Sequence, residues 1–506
     1  MINNDDKKKI IDILMSYKIL VDRDLLTLIN SLTSDELNIL EDNILENTII
    51  SKDNLINLIN DIKKGIFKKI IKPSVQVIDS FDELVTKKRD INDFISHFRE
   101  RYKQISKILR GREELSDVLS INRIMSKEED SKVSLIGMVY DKSETKNGNI
   151  ILDIEDLTGV IRVIITKRNQ DLFERAKDIV NDEVIGLIGF YQVTRNGKYK
   201  NQVIFGNEIF WPDVPLNKEL KKSPDESYAI FLSDIHVGSI DFLPYKFEKF
   251  CKWLAGEFDF DTKIDVKKIK YLFLAGDVIE GIGIYPGQDN ELTIKDIIGQ
   301  YDEVARLLKK IPERIKIIIC PGNHDATSLA EPQPPLSKDL AGSLYDMKNV
   351  YLVSNPALVN IHKSNDFPGF DVLLYHGYSF DNYVANVDSI RTSGGYHRAD
   401  LLMEFFLKRR HLSPTHGFTP YVADPKKDNL VISKAPDFFV TGHIHYSSVS
   451  NYKNITLICG SCWQGKTSFQ LKTGHDPEPA RVPVVNLQTR KVDLLIFDDI
   501  EDDENE

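Results

Sequence analysis

Cysteine is scarce in this chain: 4 among 506 residues, at Cys251, Cys320, Cys459 and Cys462. Cys459 and Cys462 form a lone C-x-x-C, and no second pair exists to complete a zinc ribbon. They read as two half-buried thiols beside a strand, and a reducing, intracellular compartment is expected. Long hydrophobic runs are missing too. No stretch of about 18 apolar residues occurs, so no membrane-spanning helix is expected. The opening Met1-Ile2-Asn3-Asn4-Asp5-Asp6 lacks the basic-then-apolar pattern of a secretory leader, which suggests a cytoplasmic protein. Positive charge is in deficit, with a net charge of −11. Proteins that wrap DNA unaided are usually basic, so tight DNA binding by this chain alone is not expected. A nuclease whose metals neutralise the scissile phosphate stays open, as does one that borrows positive surface from a partner. Part of the deficit lies in the tail from Asp498 to Glu506, which reads as solvated and disordered.

What is present is a globular composition, with 42% hydrophobic and 28% charged residues. The length exceeds one ordinary core, so two or three domains are expected. Residues 1–70 carry short amphipathic helices: Ile10, Ile11, Leu14 and Tyr17 fall at helical spacing, then Leu25, Leu26, Leu28 and Ile29. Thr33-Ser34-Asp35-Glu36 looks like a helix start. This block suits a docking or stabilising module. Residues 71–115 read as a linker and a helix. Pro73 and Ser74 punctuate the linker over 73–90, and Phe94, Phe98, Tyr102, Ile105 and Leu109 mark a helix from Asp90 to Arg112. Its basic residues, Arg101 among them, read as a solvated face or a nucleic-acid contact.

Between 116 and 215 the period changes to two. Val133, Leu135, Gly137 and Val139 alternate, and Asn147-Gly148 and Asn196-Gly197 are hairpin turns. About five strands and one helix, near Asp171 to Ile179, predict a small closed barrel of the OB type. Such barrels often bind single strands through aromatics. This one has few (Tyr140, Phe190, Tyr191), so a scaffold role is equally open. Asn217 to Glu226 is the next boundary, and residues 226–497 alternate strands and helices.

In that last region five apolar runs each end in a polar cluster. These are Asp234-Ile235-His236, Gly276-Asp277-Val278-Ile279-Glu280, Gly322-Asn323-His324-Asp325, His376-Gly377 and Gly442-His443-Ile444-His445. In layered α/β proteins ligands gather at the carboxyl ends of strands, so five such ends can converge. Carboxylate, amide and imidazole donors suit a pair of divalent metals, and two cations about 3.5–4 Å apart are most simply bridged by one carboxylate. Asp277, behind a glycine, is the candidate bridge. Singly, each cluster is weak and His376 alone would read as a core histidine; all five in this order, each after a strand, are strong.

The five clusters resemble those of the calcineurin-like metallophosphoesterases over roughly residues 226–495. The resemblance implies a multi-domain α+β chain whose last domain is a β-sandwich flanked by helices. It implies that Asp234, His236, Asp277 and His445 hold one metal. Asp277, Asn323, His376 and His443 would hold the other. His324 would contact the substrate phosphate and is the candidate general acid. Glu280 would orient His324, with a solvated loop carboxylate as the bland alternative. Gly-Asp-Val-Ile-Glu-Gly lacks the Arg of protein phosphatases, which disfavours that activity. The order of helical block, OB barrel and phosphoesterase resembles the small subunits of replicative polymerases, those of archaeal DNA polymerase D above all. Ser233 to Ser239, Leu412-Ser413-Pro414-Thr415, Ala435-Pro436-Asp437-Phe438 and Trp463-Gln464 look typical of that family. Eukaryotic relatives have lost metal ligands, whereas this chain keeps them all. The resemblance therefore implies a 3′→5′ proofreading exonuclease that uses two divalent ions, manganese before magnesium, iron or zinc. Its partners would be a large catalytic subunit and single-stranded DNA 3′ ends. A sliding clamp is a further possible partner, though no convincing clamp-binding peptide is seen. An independent repair nuclease and a non-catalytic scaffold are the competing readings. Lys408-Arg409-Arg410-His411 reads as a solvated helix end or a phosphate contact, and His397-Arg398 as a second basic loop.

Overall fold

A computed structural model describes residues 4–497 apart from 18, 35, 38–39, 42–43, 45–51, 64–70, 83–87, 197–198, 468–469 and 472–475. The acidic tail and the Gly197 of the second hairpin turn therefore lie outside the described residues. The N-terminal helices Asn4–Ser16, Arg23–Asn30 and Lys52–Lys63 pack through Ile10, Leu14, Leu25, Ile29, Leu55 and Ile59. The helix start at Thr33 is a reciprocal cap. The Glu36 carboxylate accepts from Thr33 N at 2.7 Å, and Thr33 Oγ1 accepts from Glu36 N at 3.3 Å.

Strand β1 (Val75–Ser80) overturns the linker reading of 73–90. It pairs antiparallel with β11 (Ala357–Ile361) at the edge of a sheet, Val75 opposite Ile361. Its partner lies about 280 residues away, which local composition does not reveal. The barrel is β2 (Ser131–Glu144), β3 (Ile150–Asp156), β4 (Gly159–Ile165), β5 (Val184–Asn196) and β6 (Tyr199–Phe210), closed in the order β2-β3-β4-β6-β5. Inward Leu135, Leu152, Val163, Leu187 and Ile204 fill it. The helix Gln170–Lys177 packs on it through Leu172, Phe173 and Ala176.

The remaining strands are β7 (Tyr228–Leu232), β8 (Ile269–Ala275), β9 (Lys316–Cys320), β10 (Val350–Leu352), β12 (Phe370–Leu374), β13 (Phe438–Thr441), β14 (Ser448–Tyr452), β15 (Ile455–Cys459), β16 (Arg481–Asn486) and β17 (Val492–Ile496). They form two six-stranded sheets, β10-β9-β8-β7-β16-β17 and β1-β11-β12-β13-β15-β14. β7, β8 and β9 are parallel and read as near-continuous apolar runs because both faces are covered. Alternation decides which side chain goes where. Phe231, Phe273 and Phe438 meet between the sheets, with Phe231 stacked on Phe273 at 5.0 Å between ring centroids. Ile230, Leu232 and Leu272 face the helices Pro244–Ala255 and Ile297–Leu308. Phe439 and Leu457 face the helix Ala399–Arg409 on the other side.

Barrel and sandwich are locked together by residues that looked solvated in sequence. Arg409 and Arg410 are buried, and Arg409 Nε lies 2.5 Å from the Glu183 carboxylate of the barrel. Lys408 Nζ sits 4.2 Å from the Trp211 ring centroid. The basic run is thus an interdomain joint, neither a solvated helix end nor a phosphate contact. Arg101, on the capped helix Ile91–Leu109, is likewise buried, and its Nε donates to Asp428 Oδ2 at 2.6 Å. Cys459 and Cys462 are fully buried rather than half-buried, and burial pushes both thiols up to about 12.

The Arg101 anchor carries an acid-sensitive element. His411 Nε2 donates to the same Asp428 oxygen at 2.9 Å, and its Nδ1 accepts from Ser413 N at 3.0 Å. Burial first, then Arg101, push His411 down to about 4. The unfolded chain takes up a proton below about 6.5, whereas the folded chain refuses it until about 4. Stability is therefore present above that window and is lost as pH falls through it. The displacement is worth at most roughly 3 kcal/mol. Urea unfolding between those pH values should show the loss, and His411→Gln should flatten it. An unchanged slope in the variant would remove His411 from the account.

Candidate metal centre

The ends of β7, β8, β9 and β13 deliver four of the polar clusters to one cleft of about 300 Å³, and the end of β12 holds His376 buried against Asp277 and Asn323. The backbone there is unusual. Asp234, His236, Asp277, His443 and His445 have φ of 52°, 56°, 50°, 74° and 55°. Left-handed non-glycine residues cost on the order of 1 kcal/mol or more each, and such strain clusters at functional sites. Gly442 is required because a Cβ there would lie 2.5 Å from the Asp234 carboxylate. A Cβ on Gly322 would overlap the Asp277 carboxylate.

Three groups of possible ligands result, in each of which the donor atoms lie within 4.8 Å of one another: a first triad of Asp234, His236 and His445, a second of Asp277, His376 and His443, and a third, His236, Asp277 and His324, that shares members with both. His236 Nε2 and His445 Nε2 are 3.0 Å apart, and His445 Nε2 is 3.5 Å from Asp234 Oδ1. Asp277 Oδ2 stands 3.2 Å from His376 Nε2 and 3.9 Å from His236 Nε2, so it faces both triads. Asn323 Oδ1 joins the second at 2.9 Å from His376 Nε2. His324 packs edge-on against His236, and its backbone N donates to Asp277 Oδ1 at 2.8 Å.

The histidines are aimed by hydrogen bonds on their far nitrogens. His376 Nδ1 donates to the Ala275 carbonyl at 2.9 Å, and His236 Nδ1 to Glu280 Oε2 at 2.9 Å. Gln470 holds His445 Nδ1 at 2.9 Å. Glu280 meets both His236 and His324, and its burial excludes the solvated loop carboxylate. Its carboxylate is buried and orients His236, while its backbone carbonyl accepts from His324 Nδ1 at 2.9 Å. The carboxylate is 3.8 Å from that nitrogen.

Electrostatically the cleft demands positive charge. Burial raises the Asp277 carboxyl, but His376, His324 and His236 outweigh it and hold it well below the usual range. Burial likewise opposes the lowering of Asp234 by His445 and His376. His376 responds in kind: burial disfavours its proton, but Asp277 and Asp234 push it up to about 10. Burial alone would lower His236, yet Glu280 raises it. Buried carboxylates thus favour protons on His236 and His376, and divalent cations would take the place of those protons. The donor set of carboxylate, amide and imidazole fits such ions.

Some site residues had no sequence signal. Asp381 Oδ2 lies 3.2 Å from His443 Nε2, and Tyr396 Oη donates to Asp381 Oδ1 at 3.0 Å. Tyr285 and Tyr378 line the same cleft, and Gln464 Nε2 donates to Glu280 Oε2 at 3.1 Å. These sit in loops and short helices with ordinary composition. Gln464 alone carries a signal, through the Trp463-Gln464 pair.

Residues 229–449 match a family model that describes the B-subunits of DNA polymerases alpha and epsilon, and residues 133–208 match an OB-fold nucleic acid binding domain. The DNA polymerase II small subunit of Methanothermobacter thermautotrophicus is 40% identical over 80% of this chain and 79% of its own length. That of Archaeoglobus fulgidus is 37% identical over 78% of the chain and 75% of its length. That of Pyrococcus furiosus is 38% identical over 79% of the chain, which spans only 63% of that relative. The barrel is therefore an OB fold, and the chain belongs to the family of DNA polymerase II small subunits.

Proposed function

We propose that the chain is a metal-dependent 3′→5′ exonuclease built on a calcineurin-like phosphoesterase domain, proofreading beside a large catalytic polymerase subunit. The observation that carries this reading is Asp277. One buried carboxylate faces both His236 and His376, and its other oxygen holds His324 in place. Asp234, His236, Asp277 and His445 would hold one divalent ion. Asp277, Asn323, His376 and His443 would hold the second, with manganese ahead of magnesium, iron or zinc. When bound, the pair would supply Lewis acidity to the scissile phosphate and lower the pKa of the attacking water. His324 presents Nε2 to the cleft because its Nδ1 is committed to the Glu280 carbonyl. Burial pushes its pKa down, with Asp277 opposing. The negative charge of a bound phosphate restores the proton, which His324 then passes to the departing 3′ oxygen. The products are nucleoside 5′-monophosphates. The net charge of −11 suits a subunit that meets DNA on the positive surface of a larger partner.

The test uses single-stranded DNA labelled at its 5′ end, with the full chain alone and with its large subunit. Added manganese should give stepwise shortening from the 3′ end, and chelator should stop it. Cleavage that persists in chelator would refute the metal requirement, and internal cuts would refute the polarity.

A further inference from the structure

A second cavity of about 330 Å³ adjoins the metal cleft, and Tyr396 and Ile444 line both. Gly394, Gly395, Arg391, His397 and Tyr446 complete its wall. Gly394 and Gly395, with φ of 124° and 55°, turn the chain there without placing a side chain across the opening. Tyr446 stands one residue beyond His445. Its ring packs edge-on against His397, with centroids 5.0 Å apart at 78°. Tyr396 is fixed through its hydroxyl to Asp381, the carboxylate that touches His443. Two anchored aromatic rings therefore flank a space that opens from the His443 and His445 side of the centre. The charged groups of this wall are already engaged. Arg391 pairs with Asp388, and Asp476, which also lines the cavity, pairs with Lys466. A neutral planar ligand suits such a wall better than a phosphate does.

We infer that this cavity is the base subsite for the 3′-terminal nucleotide, the one released in each turn. The inference rests on the exonuclease reading and adds where the strand lies. His324 gives its proton to the oxygen that stays with the penultimate nucleotide, and it stands on the wall made by Glu280 and Tyr285. The cavity shares neither His324 nor that wall. The terminal base thus leaves the phosphorus on the opposite side and lies between Tyr396 and Tyr446. Stacking on a ring face accepts any base, as proofreading requires. It also requires an unpaired end, since a base inside a duplex cannot reach the rings.

The experiment compares the full chain, with manganese, on two chromogenic diesters. Thymidine 5′-(p-nitrophenyl phosphate) carries a nucleoside in the position of the terminal nucleotide. Bis(p-nitrophenyl) phosphate has none. The parent should prefer the thymidine ester in kcat/KM. Tyr446→Ala should lower that preference by about 5- to 150-fold, the range set by one base–aromatic stack. Tyr446→Phe, which keeps the ring, should retain it. His397→Ala, at an exposed position, should lower it in the same direction, which guards against a folding defect in Tyr446→Ala. A parent without preference, or a preference that survives Tyr446→Ala, overturns the subsite while leaving the nuclease reading intact. A parent inert on both diesters and on single-stranded DNA overturns the nuclease reading and the subsite with it.

Discussion

Replacing Asp277 by Ala should empty both metal positions and reduce turnover on the order of 10⁴-fold or more, the scale on which groups acting as a unit fail together. The reason is its placement. Its Oδ2 is 3.2 Å from His376 and 3.9 Å from His236, so one truncation removes a member of the second triad and the carboxylate that faces the first. The same change also leaves charge behind. His376 is pushed up to about 10 against the pull of burial, chiefly by Asp277. Breaking a buried pair from one side costs about 3–5 kcal/mol. Metal analysis must therefore be run beside an unfolding curve. Asp277→Asn separates the two effects, because the amide can still accept from the His324 backbone N while the negative charge is gone. Emptied metal in a folded Asn variant is the expected result. Two ions retained in either variant would remove Asp277 from the bridging role.

The strands that carry the centre were legible because each is a short apolar run with an abrupt polar end. Tyr228–Leu232, Ile269–Ala275 and Lys316–Cys320 are buried on both faces, so their sequences have no solvent-facing gaps to confuse the period. The barrel was legible for the opposite reason. Strands β3 and β4 alternate buried with less buried positions, and Asn147-Gly148 marks a turn by its own chemistry. The seven candidate ligands could be named because each follows a strand end directly. Their number and order, and the resemblance to the metallophosphoesterases, supplied the assignment to two metals, since each cluster alone is weak.

What escaped depends on partners far away in sequence. β1 is a strand because β11 offers it an edge, and its six residues carry no stronger signal than a linker does. Arg101 and Arg409 sit on helices whose composition reads as solvated. Only the arrival of Asp428 and Glu183 shows that they are buried anchors. The sequence pointed Glu280 at His324 and gave no sign of its second contact, with His236. Three residues from Asp277, its carbonyl meets His324 while its carboxylate turns to His236. Rotamer choice of that kind is settled by neighbours such as Gln288 and Gln464, which donate to the same carboxylate from 8 and 184 residues further along the chain. Asp381 had no signal, since a helix residue five positions past His376 looks like any surface acid.

His324→Ala is expected to lower turnover on DNA by about 10²–10⁴-fold, the range for removal of a general acid. Its metal content should match the parent if the ions sit in the triads of Asp234, His236 and His445 and of Asp277, His376 and His443; loss of an ion would instead make His324 a ligand through its group with His236 and Asp277. Loss of rate alone would not distinguish a proton donor from a packing residue, since His324 also rests edge-on against His236 at 4.8 Å between centroids. The leaving group makes the distinction. A 3′ sugar oxygen departs poorly without a proton, whereas p-nitrophenolate departs as the anion. If His324 donates the proton, the defect should shrink by at least about tenfold on the nitrophenyl ester of thymidine 5′-phosphate relative to DNA. A displaced His236 would instead slow both substrates alike. His324→Asn sharpens the comparison, because its amide keeps a hydrogen-bond donor near the cleft without a proton to give. Equal losses on the two substrates, in both variants, would place His324 among the residues that shape the site and leave the departing oxygen without an acid.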